Sequence, residues 1–254
     1  MGSYNVENFI NKSKILGIDL TDEQIEKFVD YYELLTEWNS FMNLTSITDF
    51  DEVVLKHFVD SLAIYQVRIF RENLSSSGKN SISLIDVGTG AGFPGIPLKI
   101  VFPELHITLL DSLNKRVKFL NTTIEKLELK NIRAVHGRSE DLAREKAHRE
   151  QYYFCVSRAV ANLSTLSEFC IPFVEKDGYF ISYKSEKVKE ELSAGKKAVE
   201  ILGGKIEDQF NYQLPDSDMN RSLLIIKKEK NTPAKYPRKA GTPARETLQG
   251  GKNQ

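Results

Sequence analysis

The chain of 254 residues reads as an α/β protein. The expected architecture is a doubly wound, seven-stranded, mostly parallel sheet with an antiparallel last strand. A small N-terminal helical subdomain precedes it and a basic tail follows it. Three observations predict this. From Ile82 onward, apolar runs of strand length alternate with segments of helical periodicity, and such βα units imply a parallel sheet with right-handed crossovers. The last two apolar runs are joined by a loop too short for a crossover helix, so they should pair antiparallel. Finally, Leu84–Gly95 carries an apolar strand into a glycine-rich turn.

The elements follow in order. A helix is expected over Asp22–Trp38: Thr21 and Gln24 have capping-box spacing, and Ile25, Phe28, Val29, Tyr32, Leu35 and Trp38 share one face. A second helix, about Val53–Phe70, places Val54, Leu55, Phe58, Val59 and Leu62 in the same manner. The polar segment Ser75–Ser81 reads as a linker. Strands are expected at Ile82–Val87, His106–Leu110, Ile132–His136, Tyr153–Ser157, Gly178–Tyr183, Lys205–Tyr212 and Ser222–Lys228. Helices are expected near Pro94–Val101, Asn114–Leu127, Ala143–Arg149, Leu163–Phe173 and Glu186–Leu202. The chain therefore divides into 1–74, 75–229 and 230–254.

Composition narrows the class. Lysine plus arginine and aspartate plus glutamate both number 35, so bulk charge points to no partner. The two cysteines, Cys155 and Cys170, lie in apolar surroundings, as packed thiols of a reduced cytoplasmic protein do. The N-terminus lacks the basic and apolar regions of a signal peptide, and no segment approaches the roughly 20 apolar residues of a membrane span. A cytoplasmic monomer off the membrane is expected. His57, His106, His136 and His148 show no metal-ligand spacing, so no metal is expected.

The turn carries the chemistry. Asp86, Gly88, Gly90 and Gly92 form the pattern acid-x-Gly-x-Gly-x-Gly, with Thr89 between the first two glycines and Phe93-Pro94 after the third. This is the signature of S-adenosylmethionine (AdoMet) methyltransferases. A dinucleotide pattern also fits from Gly90 through Gly92 to Gly95. It is disfavoured because the first glycine of that pattern follows its strand directly, and here Gly88 follows Val87. Asp111, 19 residues past Gly92, has the offset of an acid that accepts ribose hydroxyls. Asp86 is expected to order the turn or to bind an α-amino group.

Ligands of open α/β sheets bind beyond the carboxyl ends of the strands. The third strand delivers Arg138, Ser139 and Glu140 there, the fourth Arg158 and the fifth Lys184. Glu140 could read an adenine amine, while Ser139 equally fits a helix cap. Ser157-Arg158-Ala159-Val160 is not the Asn-Pro-Pro-Tyr type of loop that holds exocyclic amines, and no Pro-Cys pair offers a thiolate nucleophile. A nucleophile with a free lone pair, such as guanine N7, needs neither base nor metal. In the tail, Lys235, Tyr236, Arg238 and Lys239 interleave basic and aromatic groups, which suits an RNA backbone and a stacked base as well as a solvated tail. Because the tail lies beyond the cofactor motifs, its removal is expected to leave AdoMet affinity unchanged. A tail that docks on its own domain is the alternative.

Nearly the whole chain resembles the bacterial 16S rRNA guanine-N7 methyltransferases (glucose-inhibited division protein B, small-subunit rRNA methyltransferase G). The resemblance rests on Trp38-Asn39, Asn43–Ser46, His57 with Asp60-Ser61, Asp86–Gly95, Leu110–Arg116, Ser157-Arg158-Ala159 and the tail Lys235–Pro243. It implies AdoMet-dependent methylation of a guanine N7 in 16S rRNA or the small ribosomal subunit, with S-adenosylhomocysteine as product; direct in-line attack by N7 on the methyl group is the expected chemistry. RNA and not DNA is the implied partner. It also implies that Arg138, Arg158 and Lys184 surround cofactor and base; Arg158 and Lys184 are the catalytic candidates. The rival readings are a methyltransferase acting on a small molecule or protein, and a non-catalytic assembly factor that binds AdoMet and rRNA.

Overall fold

The computed structural model describes residues 4–76, 82–158, 161–185 and 188–248. Most of the expected linker, the loop residues Ala159 and Val160, and the expected helix start at Glu186 lie outside the described residues. The chain opens with α1 (Val6–Ile15), capped by the Asn5 side chain, which accepts the Asn8 N–H. Sequence reading missed this helix, whose apolar residues are few. The next helix, α2 (Asp22–Met42), has the expected capping box between Thr21 and Gln24 and runs four residues further than expected.

The expected helix Val53–Phe70 is a broken run instead. It comprises α3 (Phe50–Val53), a π-helical turn (Val54–Val59), α4 (Asp60–Leu62), a 3-10 turn (Ala63–Gln66) and α5 (Arg68–Ser76). Such π turns re-aim side chains and carbonyls relative to a regular helix. Here the turn carries His57 and leads into Asp60. The side chain of Arg158 docks on both.

The remaining elements alternate. They are β1 (Ser83–Val87), α6 (Gly95–Val101), β2 (His106–Asp111), α7 (Asn114–Lys126), β3 (Ile132–His136), α8 (Ser139–Leu142), β4 (Tyr152–Ser157), α9 (Leu163–Cys170), β5 (Val174–Ser185), α10 (Val188–Ile201), β6 (Gly204–Gln213), β7 (Asn220–Lys228) and α11 (Thr242–Arg245). The sheet order is β3-β2-β1-β4-β5-β7-β6. Strand β7 lies antiparallel between β5 and β6, and the other pairings are parallel. The order reverses between β1 and β4, which is where open α/β sheets bind ligands.

Adjacent residues of one strand enter opposite layers, as strand geometry demands. Leu84 and Phe154 join the N-terminal helices, α6 and α7 in one core; Ile85 and Cys155 join α9, α10 and the tail in the other. The expected helix Ala143–Arg149 is a series of turns after the short α8. Tertiary contacts explain it. Arg144 donates to the Pro237 carbonyl, and Arg149 donates to the carbonyls of Ala143, Tyr236 and Thr232. Ser139 is the first residue of α8 and Arg138 occupies the cap position, so Ser139 is not the cap.

Candidate active site

The glycine turn sits at the carboxyl end of β1, on the switch point. Gly88, Gly90 and Gly92 all have positive φ, which explains the run of glycines. Gly92 is also packed tightly: a Cβ there would meet Ile96 and the Tyr31 hydroxyl at 2.5–2.9 Å. At Gly90 a Cβ would meet nothing within 4 Å, so that glycine faces open space. Asp86 holds the turn through one oxygen. Its Oδ2 accepts from Thr89 Oγ1 (2.6 Å) and from the Gly95 N–H (2.9 Å). Its Oδ1 is buried without a protein donor. Burial pushes the carboxyl up to about 6, against the pull of those two hydrogen bonds.

Asp111 completes the turn. Its Oδ2 accepts the Gly90 N–H at 3.0 Å and its Oδ1 accepts the Leu113 N–H at 2.9 Å, with Arg116 3.4 Å away. A carboxylate has about four acceptor sites, so this leaves capacity for a ligand hydroxyl. The cleft beside it encloses about 400 Å³ and is lined by Gly88 and Asp111, by Arg138, Ser139 and Glu140, and by Leu166 and Phe169 of α9. That volume suits a nucleoside-sized ligand. Two features fit AdoMet: the bare Asp86 oxygen would take an ammonium donor, and the open space at Gly90 allows close approach to the backbone.

Several expected site residues stand elsewhere. Phe93 does not face the cleft. It is buried against the N-terminal helices, stacked on His57 with ring centroids 4.6 Å apart. Arg158 leaves β4 in the same direction, with its guanidinium carbon 5.0 Å from the Phe93 ring centroid. It donates to Asp60 Oδ2 and to the Lys56 carbonyl, both at 3.1 Å. Asp60 Oδ1 accepts the Tyr212 hydroxyl at 2.8 Å. Burial, and secondarily the Arg158 charge, holds His57 at about 4, so it is neutral. Lys184 donates to the Ala161 carbonyl at 2.9 Å, beside the cleft.

The tail is not a free basic arm. Tyr236 is buried, and the Arg238 guanidinium grips both oxygens of Glu168, a residue 0% exposed. Both were expected to contact RNA; burial and a buried carboxylate commit them to the protein. Lys235 and Lys239 remain exposed. Nor is the tail remote from the cofactor turn, because Gly241 and Ala244 line the same cleft. Glu140 spends Oε1 on the Gly241 N–H, at 2.8 Å, which competes with the expected reading of an adenine amine.

Sequence reasoning thus missed Leu166, Phe169, Gly241 and Ala244 as lining residues, and the roles of His57, Asp60 and Tyr212 around Arg158. The only signal was the presence of His57, Asp60 and the Lys235–Pro243 run among the resembling motifs. Among the described residues, no group of three or more His, Cys, Asp or Glu could hold a metal. No described helix is long and apolar enough to cross a membrane.

The family model described as rRNA small subunit methyltransferase G (GidB) matches residues 24–217. The chain belongs to that family. Curated relatives named ribosomal RNA small subunit methyltransferase G align with this GidB-family chain over nearly their whole length. The Lachnoclostridium phytofermentans protein is 53% identical over 243 residues, covering 94% of this chain and 96% of its own. The Bacillus licheniformis protein is 48% identical over 246 residues, covering 97% and 100%. A solved structure of MtNAS shares the fold, with a TM-score of 0.50 at 13% identity over 78% of this chain and 71% of that one.

Proposed function

We propose that the protein uses AdoMet to methylate N7 of one guanine in 16S rRNA of the small ribosomal subunit, releasing S-adenosylhomocysteine. The cleft at the ends of β1, β2 and β3 supports this best: the start of the glycine turn and Asp111 line it, and Asp86, with one bare oxygen, lies buried beneath the same turn. Bound AdoMet supplies an activated methyl group on a sulfonium centre. Asp86 would hold its ammonium group, Asp111 its ribose, and Arg138, Ser139 and Glu140 would border its base. Gly88 and Gly90 would let the cofactor approach the backbone closely, while Thr89 and Gly92 would hold the turn in shape behind them.

The protein's contribution is alignment, worth up to about 7–11 kcal/mol for well-oriented reactants. Guanine N7 has a free lone pair, so no residue has to remove a proton to expose it. Neutral His57 and Phe93 form an apolar shelf under Arg158. Arg158 would hold the guanine O6 or a phosphate, with Lys184 beside it. Admitting the base requires unstacking, a cost of a few kcal/mol.

Three parts would share this work: 1–74 on the target side, 75–229 holding the cofactor, and 230–254 closing the cleft and meeting RNA through Lys235 and Lys239. The protein would act as a cytoplasmic monomer on RNA, not DNA. The test is tritium transfer from AdoMet to deproteinised 16S rRNA and to 30S particles, with the modified base mapped by mass spectrometry. Label in N7-methylguanine of 16S rRNA is expected. Label on another base or on protein, or none on either particle, would overturn the proposal.

A further inference from the structure

The tail is the part of the chain whose position the motifs do not explain. From Thr232 to Leu248 it is strapped across the layer formed by α8, α9 and the turns after α8. Arg149 holds the carbonyls of Thr232 and Tyr236 at 2.7 and 2.8 Å. Glu168 of α9 accepts from the Arg238 backbone N–H at 2.6 Å and from its guanidinium at 2.7–3.1 Å. Thr165 and Ser164, also on α9, donate to the carbonyls of Pro243 and Leu248 at 3.0 and 3.1 Å. Between these anchors Gly241 and Ala244 come to the cleft edge, and the Gly241 N–H is fixed on Glu140.

We propose that the segment Arg238–Ala244 is part of the cofactor site. It forms the outer wall of the cleft, and the Arg238–Glu168 pair is the latch that holds the wall in place. This rests on the AdoMet reading of the cleft. The physical argument is geometric. A ligand in a cleft of about 400 Å³ with one wall missing exposes that flank to water, and dissociates faster. Gly241 has φ +82 and a Cβ there would find only Arg245 nearby, at 3.9 Å, so the glycine serves the turn that brings the wall in rather than a tight contact. Glu140 acts in this arrangement as a positioning residue for the wall. Wall and latch lie outside the glycine turn, so a mutation at either can alter cofactor retention with the turn intact.

The test is calorimetric titration of AdoMet into full-length protein, with melting temperature measured alongside. Ala244→Trp places an indole at the cleft edge from an exposed position. Arg238→Ala opens the latch. At least tenfold weaker AdoMet binding is expected for Ala244→Trp with an unchanged melting temperature. Arg238→Ala should also bind AdoMet more weakly, at a lowered melting temperature. If the parent protein binds AdoMet and Ala244→Trp binds it equally well, the wall assignment is wrong while the cofactor reading stands. If the parent protein binds no AdoMet, both are wrong.

Discussion

Arg158 at the end of β4 and Asp60 in the N-terminal helical run form a largely buried ion pair, with Nη1 3.1 Å from Oδ2. The pair ties the strand edge that faces the cleft to the helical layer. Removing Asp60 strands a buried guanidinium and deprives the Tyr212 hydroxyl of its acceptor. Breaking one partner of such a pair costs about 3–5 kcal/mol. Asp60→Ala should therefore lower unfolding free energy by that order in urea denaturation. A loss under about 1 kcal/mol would show that the pair is replaced by water.

Arg158 itself separates affinity from transfer. It points away from the AdoMet cleft toward Phe93 and Lys56. Arg158→Ala should keep most AdoMet affinity by calorimetry and lose single-turnover methyl transfer by at least a hundredfold, which is about 2.7 kcal/mol of transition-state stabilisation. Near-normal transfer would remove Arg158 from the reaction site.

Asp111 has two duties that its variants distinguish. It accepts the Gly90 N–H, and it offers remaining acceptor capacity to ribose. Hydrogen bonds to a charged group are worth about 1.5–3 kcal/mol. Asp111→Asn keeps one oxygen for the turn but sets its NH2 against the Gly90 or the Leu113 N–H, so it should weaken AdoMet binding about tenfold to a hundredfold with a smaller loss of stability than Asp111→Ala. Asp111→Ala should lose both affinity and stability. Equal AdoMet affinity in parent and Asn variant would refute the ribose role.

The His57 imidazole gives a pH signature. Burial, then the Arg158 charge, holds it at about 4 rather than 6.5. The folded value is the lower one, so stability from this group is present above about 6.5. It falls as acid protonates the unfolded chain first, and is lost by about pH 4. Asp86, raised to about 6 by burial, contributes the opposite slope between 3.8 and 6, but does so with or without His57. Between pH 6.5 and 4 the parent protein should lose more melting temperature than His57→Gln. Parallel curves would mean that His57 is solvated.

Of the tail residues expected to contact RNA, Lys235 and Lys239 are the two left facing solvent, although Lys235 also lies over the Tyr236 ring at 5.2 Å. If both meet phosphates, each alanine substitution should flatten the log–log salt slope of rRNA binding by roughly 0.7–0.9. Identical slopes for parent and double variant would confine the tail to the cofactor cleft.

The sequence by itself determined the sheet, its last antiparallel strand, the glycine turn and the placing of Asp86 and Asp111. These depend on local periods and on a turn that only glycine tolerates, so they are written in consecutive residues. It did not reveal the π turn under His57, because the apolar face of Val53–Phe70 satisfies a regular helix equally well. Arg158, roughly a hundred residues away, donates to a carbonyl of that turn. Nor could charge spacing tell a basic arm from a strap. Arg238 has the same character in either case, and only the fold brings the buried Glu168 within 2.7 Å of it. Local chemistry selected the elements. Burial of charges between distant segments decided where Phe93 and Arg158 point and which face the tail covers.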